Sequence, residues 1–183
     1  MGMSRSPLIV VALKEEAVHL DSRYPILVSG VGKVCAAVAV TRALSEGELP
    51  SEIINLGTAG ALRAGLVGTH QIRQVIQHDF DSEALEALTG HSFGRPITLG
   101  ADGLVLATGD VFVSDPVVRE SLARRADLVD MEGYAVASAA SAFGVPVRII
   151  KHVSDQADTG AFRSWQATVD ECARALAALL HAS

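Results

Sequence analysis

Leu8-Ile9-Val10-Val11-Ala12 is an unbroken apolar run, the pattern of a strand covered on both faces. Lys14 to Leu20 then reads as a short helix, and Ile26-Leu27-Val28 as a second strand. Ser29-Gly30-Val31-Gly32 turns the chain into a helix from about Lys33 to Ser45, Ala/Val-rich nearly all round and therefore expected to be well buried. Ile53-Ile54-Asn55-Leu56 is a third strand, ending in Gly57-Thr58-Ala59-Gly60. Gly68 to His78 alternates apolar and polar positions as a longer strand would. One or two helical turns follow over Asp81–Leu88, then strands at Arg95–Leu99 and Leu104–Thr108. Asp115-Pro116 opens a helix reaching about Ala126, with proline at a first-turn position. Leu128–Met131 is a short strand, and Glu132–Phe143 a helix stopped by Gly144 and Pro146. Val147, Ile149, Ile150 and Val153 mark a last strand that turns abruptly polar at Ser154-Asp155, before a closing amphipathic helix over Ser164–Leu180.

Strands and helices alternating in this order predict an α/β protein, a three-layer α/β/α sandwich around a central mixed, mostly parallel sheet. A chain of 183 residues fits one domain, expected to span 1–183. The formal net charge of -6 argues against a nucleic-acid partner. No stretch approaches a membrane span. Cys35 and Cys172 stand far apart in no redox or metal spacing, which fits a cytoplasmic protein. Met1–Ser6 matches a myristoylation pattern formally, but so short a match is common by chance.

Ligands of open α/β sheets bind beyond the carboxyl ends of the strands. The polar strand ends here are Glu15/Glu16, Thr58, Glu132 and Ser154/Asp155. Taken singly, Ser154 or Asp155 reads as a helix cap, and Glu132 as an acid favoured by a helix dipole. Gly30-Val31-Gly32 lacks the third glycine of a dinucleotide fingerprint, since position 35 is Cys35. It serves better as a tight strand-to-helix turn. No nucleophile elbow accompanies His152. His78-Asp79-Phe80-Asp81 has no second cluster to complete a metal site, so the expectation is no metal and no cofactor. Three acids at ends of one sheet, Glu16, Glu132 and Asp155, suit cleavage of a glycosidic bond. One protonates the leaving group, one activates water and one steadies a cationic sugar.

Four segments in order, Ser29–Val34, Asn55–Gly60, Asp130–Gly133 and Val153–Asp158, with Thr108–Phe112 between them, resemble the purine nucleoside phosphorylase/nucleosidase family. The nearest member type is the 5′-methylthioadenosine/S-adenosylhomocysteine nucleosidases. The resemblance implies that Asp155 protonates N7 of the purine, with Ser154 orienting it. It implies that Glu132 binds the ribose hydroxyls beside the Met131 backbone, and that Glu16 activates water near Thr58. Phe112 would stack on the base, the Val113 backbone would read its edge, and Trp165 would lie near the 5′ substituent. It also implies a homodimer acting on a small purine nucleoside. The family's phosphorylases carry cations around phosphate, whereas Asn55 and Lys14-Glu15-Glu16 occupy those places here, so hydrolysis is favoured over phosphorolysis. The segments Leu20–Ile26 and His78–Gly109 are shorter than is usual for the family. A rival reading is therefore a nucleoside-binding protein whose pocket is too open for catalysis.

Overall fold

The computed structural model describes residues 5–21 and 23–181; the amino-terminal myristoylation pattern falls largely outside them. Eight strands are formed: β1 (Leu8–Val11), β2 (Ile26–Val28), β3 (Ile53–Ala61), β4 (Thr69–Gln77), β5 (Ile97–Thr98), β6 (Leu104–Thr108), β7 (Leu128–Asp130) and β8 (Val147–Asp155). The helices are α1 (Lys33–Ser45), α2 (Ser82–Thr89), α3 (Pro116–Leu122), α4 (Gly133–Ala142) and α5 (Ala161–His181). Lys14–Ala17 makes a single 3₁₀ turn in place of the longer helix expected there.

Five pairings are parallel (β1–β2, β1–β3, β3–β8, β4–β6 and β6–β7) and three antiparallel (β3–β7, β4–β5 and β4–β8). The sheet is therefore mixed and mostly parallel, and it curls until β3 meets β7. One face of β1 and β3 packs on α1 and α4, with Val10 and Ile53 against Val40, Val136 and Ala140. Alternate residues Ile9, Val11, Ile54 and Leu56 pack on α5 through Leu176 and Leu180. That alternation is the period of two made physical: each inner strand feeds both flanking layers.

Two expectations fail instructively. Helix α1 buries only a stripe, Ala36, Val40 and Leu44, and leaves Val34 and Val38 exposed. The helix enclosed nearly all round is α4, whose Ala135, Val136, Ala137, Ala139 and Ala140 are all buried. Alanine's small side chain lets a helix sit close against several neighbours, which valine on an outer flank does not.

Strand β3 also does not end at Leu56 but runs through Gly57-Thr58-Ala59-Gly60 to Ala61. The reason lies in what rests against it. A Cβ on Gly57 would stand 3.1 Å from Glu16 Oε1 and 3.2 Å from Lys151 Nζ. One on Gly60 would stand 2.9 Å from Asp155 Oδ1. The small residues that read as a turn are a bare stretch of strand over which charged groups lie.

Candidate active site

The polar ends of β1, β3, β7 and β8 converge on a cavity of about 380 Å³. Its lining includes Thr58, Phe112, Val113, Met131, Glu132, Ser154, Asp155 and Trp165, eight of the nine residues singled out from the sequence. Glu16 is the ninth, and its carboxylate lies behind the wall rather than in it.

Asp155 owes its position to an irregularity. Along the β3–β8 ladder Ala59 pairs with Val153 but Gly60 pairs with Asp155, so Ser154 is an inserted residue. Such a bulge re-aims the side chains beside it; both Ser154 and Asp155 are buried. Ser154 Oγ donates to Asp155 Oδ2 at 2.8 Å, and the Ala157 N–H donates to Oδ1 at 2.8 Å. Ala157 itself holds a φ of 48°, a left-handed conformation unusual for a residue with a Cβ. Burial pushes the Asp155 carboxyl up from its ordinary value against those two hydrogen bonds. Asp155 does not cap α5, which begins at Ala161, three residues earlier than the sequence pattern suggests.

Glu132 stands at the entrance to α4 and does not cap it by its side chain. Instead its Oε1 accepts the Gly32 N–H at 2.9 Å, across the cavity from the turn before α1. Gly32 adopts a φ of 94°, open to glycine, which aims that N–H inward. Burial first, then the neighbouring Asp130, raises the Glu132 carboxyl to about 7. Glu16 is satisfied by four donors. Oε2 accepts from Ala12 N (3.0 Å) and Leu13 N (3.2 Å), and Oε1 from Thr58 N (2.8 Å) and Thr58 Oγ1 (3.1 Å).

Phe112 is 43% exposed at the rim, whereas Val113 is buried beneath it. Their loop is tied to the start of α1: Asp110 Oδ1 accepts the Lys33 N–H at 2.7 Å, and Asp79 Oδ2 the Asp110 N–H at 2.8 Å. Lys33 Nζ pairs with Asp79 in turn. So the His78-Asp79 segment serves as a brace, and no cluster among the described residues could hold a metal ion. His152 donates to or accepts from Thr69 Oγ1 at 2.7 Å, outside the cavity lining.

Sequence reasoning missed Lys151 and gave Asp130 no role. Lys151 is 2% exposed, and its Nζ pairs with Asp130 Oδ2 at 2.9 Å. Asp130 also accepts from Thr108 Oγ1 and Gly133 N. Burial alone would lower the lysine, but Asp130, Glu132 and Glu16 together raise it above its ordinary value. The signal was present: a lone cation at the parity of Ile149 and Val153 in a buried strand. Replacing Lys151 by Met should leave three carboxylates facing one another without a cation. A loss of roughly 3–5 kcal/mol is expected, read from urea unfolding at pH 7.

The phosphorylase superfamily model matches residues 21–102 and 97–183. The chain belongs to the phosphorylase superfamily. Among curated members, the 5′-methylthioadenosine/S-adenosylhomocysteine nucleosidase of Marinomonas sp. (strain MWYL1) is 36% identical over 155 residues, 71% of this chain and 67% of that protein. The protein of the same name from Bacillus subtilis (strain 168) is 33% identical over 173 residues, 81% of this chain and 74% of the other. Solved structures share the superfamily fold. The Helicobacter pylori 5′-methylthioadenosine/S-adenosylhomocysteine nucleosidase with butyl-thio-DADMe-Immucillin-A matches with a TM-score of 0.80 at 24% identity, covering 99% of this chain and 98% of that one. The futalosine hydrolase of the same organism matches with a TM-score of 0.79 at 25% identity, covering 98% and 97%. The cavity takes lining residues from the end of every strand named above.

Proposed function

We propose that this chain hydrolyses the N-glycosidic bond of a purine nucleoside of the 5′-methylthioadenosine or S-adenosylhomocysteine kind, releasing the free base. The observation that carries the reading is the charge of the cavity. Asp130, Glu132 and Asp155 line it, and among the described residues no lysine or arginine does. Acidic side chains with no cation exposed among them disfavour a phosphate nucleophile and favour a cationic ribosyl group with neutral water attacking it. The buried cation beside them, Lys151, is engaged by Asp130. The names of the relatives support the same reaction and nucleoside class.

In this mechanism Asp155 in its protonated form donates to N7 of the purine as the base departs. Glu132 holds the ribose hydroxyls beside the Met131 backbone and favours the ribosyl cation. Glu16 acts from behind Thr58 on the attacking water. Phe112 stacks on the base, the Val113 backbone reads its edge, and Trp165 lies toward the 5′ substituent. Side chains and water suffice for these steps. The apolar remainder of the lining, with Leu13, Val31 and Phe162, suits a 5′ thioether better than a phosphate.

The test is base release from a panel of purine nucleosides, with and without phosphate. Release without phosphate is expected, most rapid on 5′-alkylthio nucleosides. Strict phosphate dependence with ribose 1-phosphate as product would leave a phosphorylase instead.

The same reading takes residues 1–183 as one catalytic domain working in the cytoplasm as a homodimer. Exposed Val31, Val34, Val38, Val111 and Phe112, beside the cavity mouth and along α1, support a partner there. A monomer mass in sedimentation velocity would remove that part. No helix among the described residues is long and apolar enough to cross a membrane.

A further inference from the structure

The buried carboxylate of Glu16 reaches the cavity through one mobile group. Three of its four donors are backbone N–H groups, fixed by the 3₁₀ turn and by β3. The fourth is the Thr58 hydroxyl, which can rotate. Thr58 lines the cavity and so does Trp165 of α5, whose indole Nε1–H donates to Thr58 Oγ1 at 3.0 Å. An indole N–H is a donor only, whereas a hydroxyl carries one proton and two lone pairs. The order of donation is therefore fixed: Trp165 to Thr58, and Thr58 to Glu16.

We propose that Trp165 is a positioning residue for the attacking water, acting through Thr58. With the indole in place, the Thr58 proton points at Glu16 and one lone pair of Oγ1 is occupied. The other lone pair is left for a water in the cavity, which must approach it as a donor. A water donating to Thr58 keeps its own lone pair free for the sugar. Without the indole N–H, the Thr58 proton still points at Glu16, but both lone pairs of Oγ1 are open, so the water no longer has a single place to dock and its own lone pair is no longer aimed at the sugar. Trp165 thus joins the cavity wall to Glu16, a link that an aromatic ring lacking the N–H does not make. The role in turnover rests on the nucleosidase reading; the indole–hydroxyl bond does not.

Trp165→Phe keeps the aromatic bulk and removes the donor. Its kcat on 5′-methylthioadenosine is expected to fall about five- to tenfold, the effect of one hydrogen bond, with KM changed less than about twofold. In a Thr58→Val background the same change should slow the enzyme no further. An unchanged kcat, a rise in KM alone, or costs that multiply in the double variant would each overturn the proposal and leave Trp165 as wall. The chain has one tryptophan, so ¹⁵N-labelled protein gives one indole N–H resonance. Thr58→Val should move that resonance upfield and speed its exchange with solvent; an unmoved resonance overturns the proposal without any assay. If the resonance moves as expected but wild type releases no base from any purine nucleoside, the indole–hydroxyl link stands. The nucleosidase reading then fails, and with it the proposed role in positioning water.

Discussion

Asp155→Asn is expected to lower base release about a thousandfold, within the range for loss of a general acid, while nucleoside binding stays within about threefold. Asn preserves the shape, and its oxygen can still accept the Ala157 N–H that Asp155 Oδ1 takes at 2.8 Å. What it lacks is an acidic proton. Burial raises the Asp155 carboxyl above its ordinary value, which enlarges its protonated fraction near neutral pH. A purine leaving as an anion is a poor leaving group, and protonation at N7 lets it depart neutral. A nucleoside already methylated at N7 needs no such proton, so Asp155→Asn should recover most of its lost rate on that substrate. The measurements are kcat on both substrates and affinity by calorimetry. Full activity of the variant on the unmethylated nucleoside would remove Asp155 from the chemistry. Equal binding by both proteins with no turnover by wild type would point to the binding-protein reading.

The layers and most strand ends, that of β3 excepted, were legible because they rest on local patterns. Apolar runs such as Leu8–Ala12 report burial directly, and the polar break at Ser154-Asp155 marks the end of β8. Three features were not legible, each for a long-range reason. The antiparallel contacts of β4 with β8 and of β7 with β3 depend on how the sheet curls, which no window of sequence contains. Gly57–Gly60 has turn composition, yet it is strand because Glu16, Lys151 and Asp155, distant in the chain, need its bare surface. The bulge at Ser154 depends on the register with β3, so two consecutive buried polar residues gave no sign of which would aim inward. Among site residues, Lys151 was overlooked because a lysine in a strand ordinarily reads as an edge or surface residue. Its burial follows from three acids arriving from β7, the start of α4 and the 3₁₀ turn.

Glu132→Gln is expected to make the protein more stable at pH 8 and much slower. In the folded protein burial and Asp130 raise the Glu132 carboxyl to about 7, from an ordinary value of 4.5. Below pH 4.5 the group is protonated in both folded and unfolded chains, and the advantage of a buried neutral acid is fully present. As the pH rises toward 7 the unfolded chain gives up a proton that the folded chain retains, so stability is lost through that window. Above about 7 the loss is complete, on the order of 3 kcal/mol. Glutamine stays neutral throughout and escapes it. The melting-temperature difference between variant and wild type should therefore grow from pH 5 to pH 8, by up to roughly 6–12 °C for a chain of this length. A difference that does not change with pH would mean that the carboxylate is not strained by its surroundings. Turnover asks for the opposite ionisation, since only the anion favours a ribosyl cation. A fall in kcat of about a hundredfold is expected on the same variant, together with loss of the inflection near pH 7 in kcat/KM. The Gly32 N–H and Lys151, which alone oppose the rise, mark how the fold keeps that anion within reach. In the proposed mechanism the site sacrifices stability at working pH to hold a charge beside the sugar.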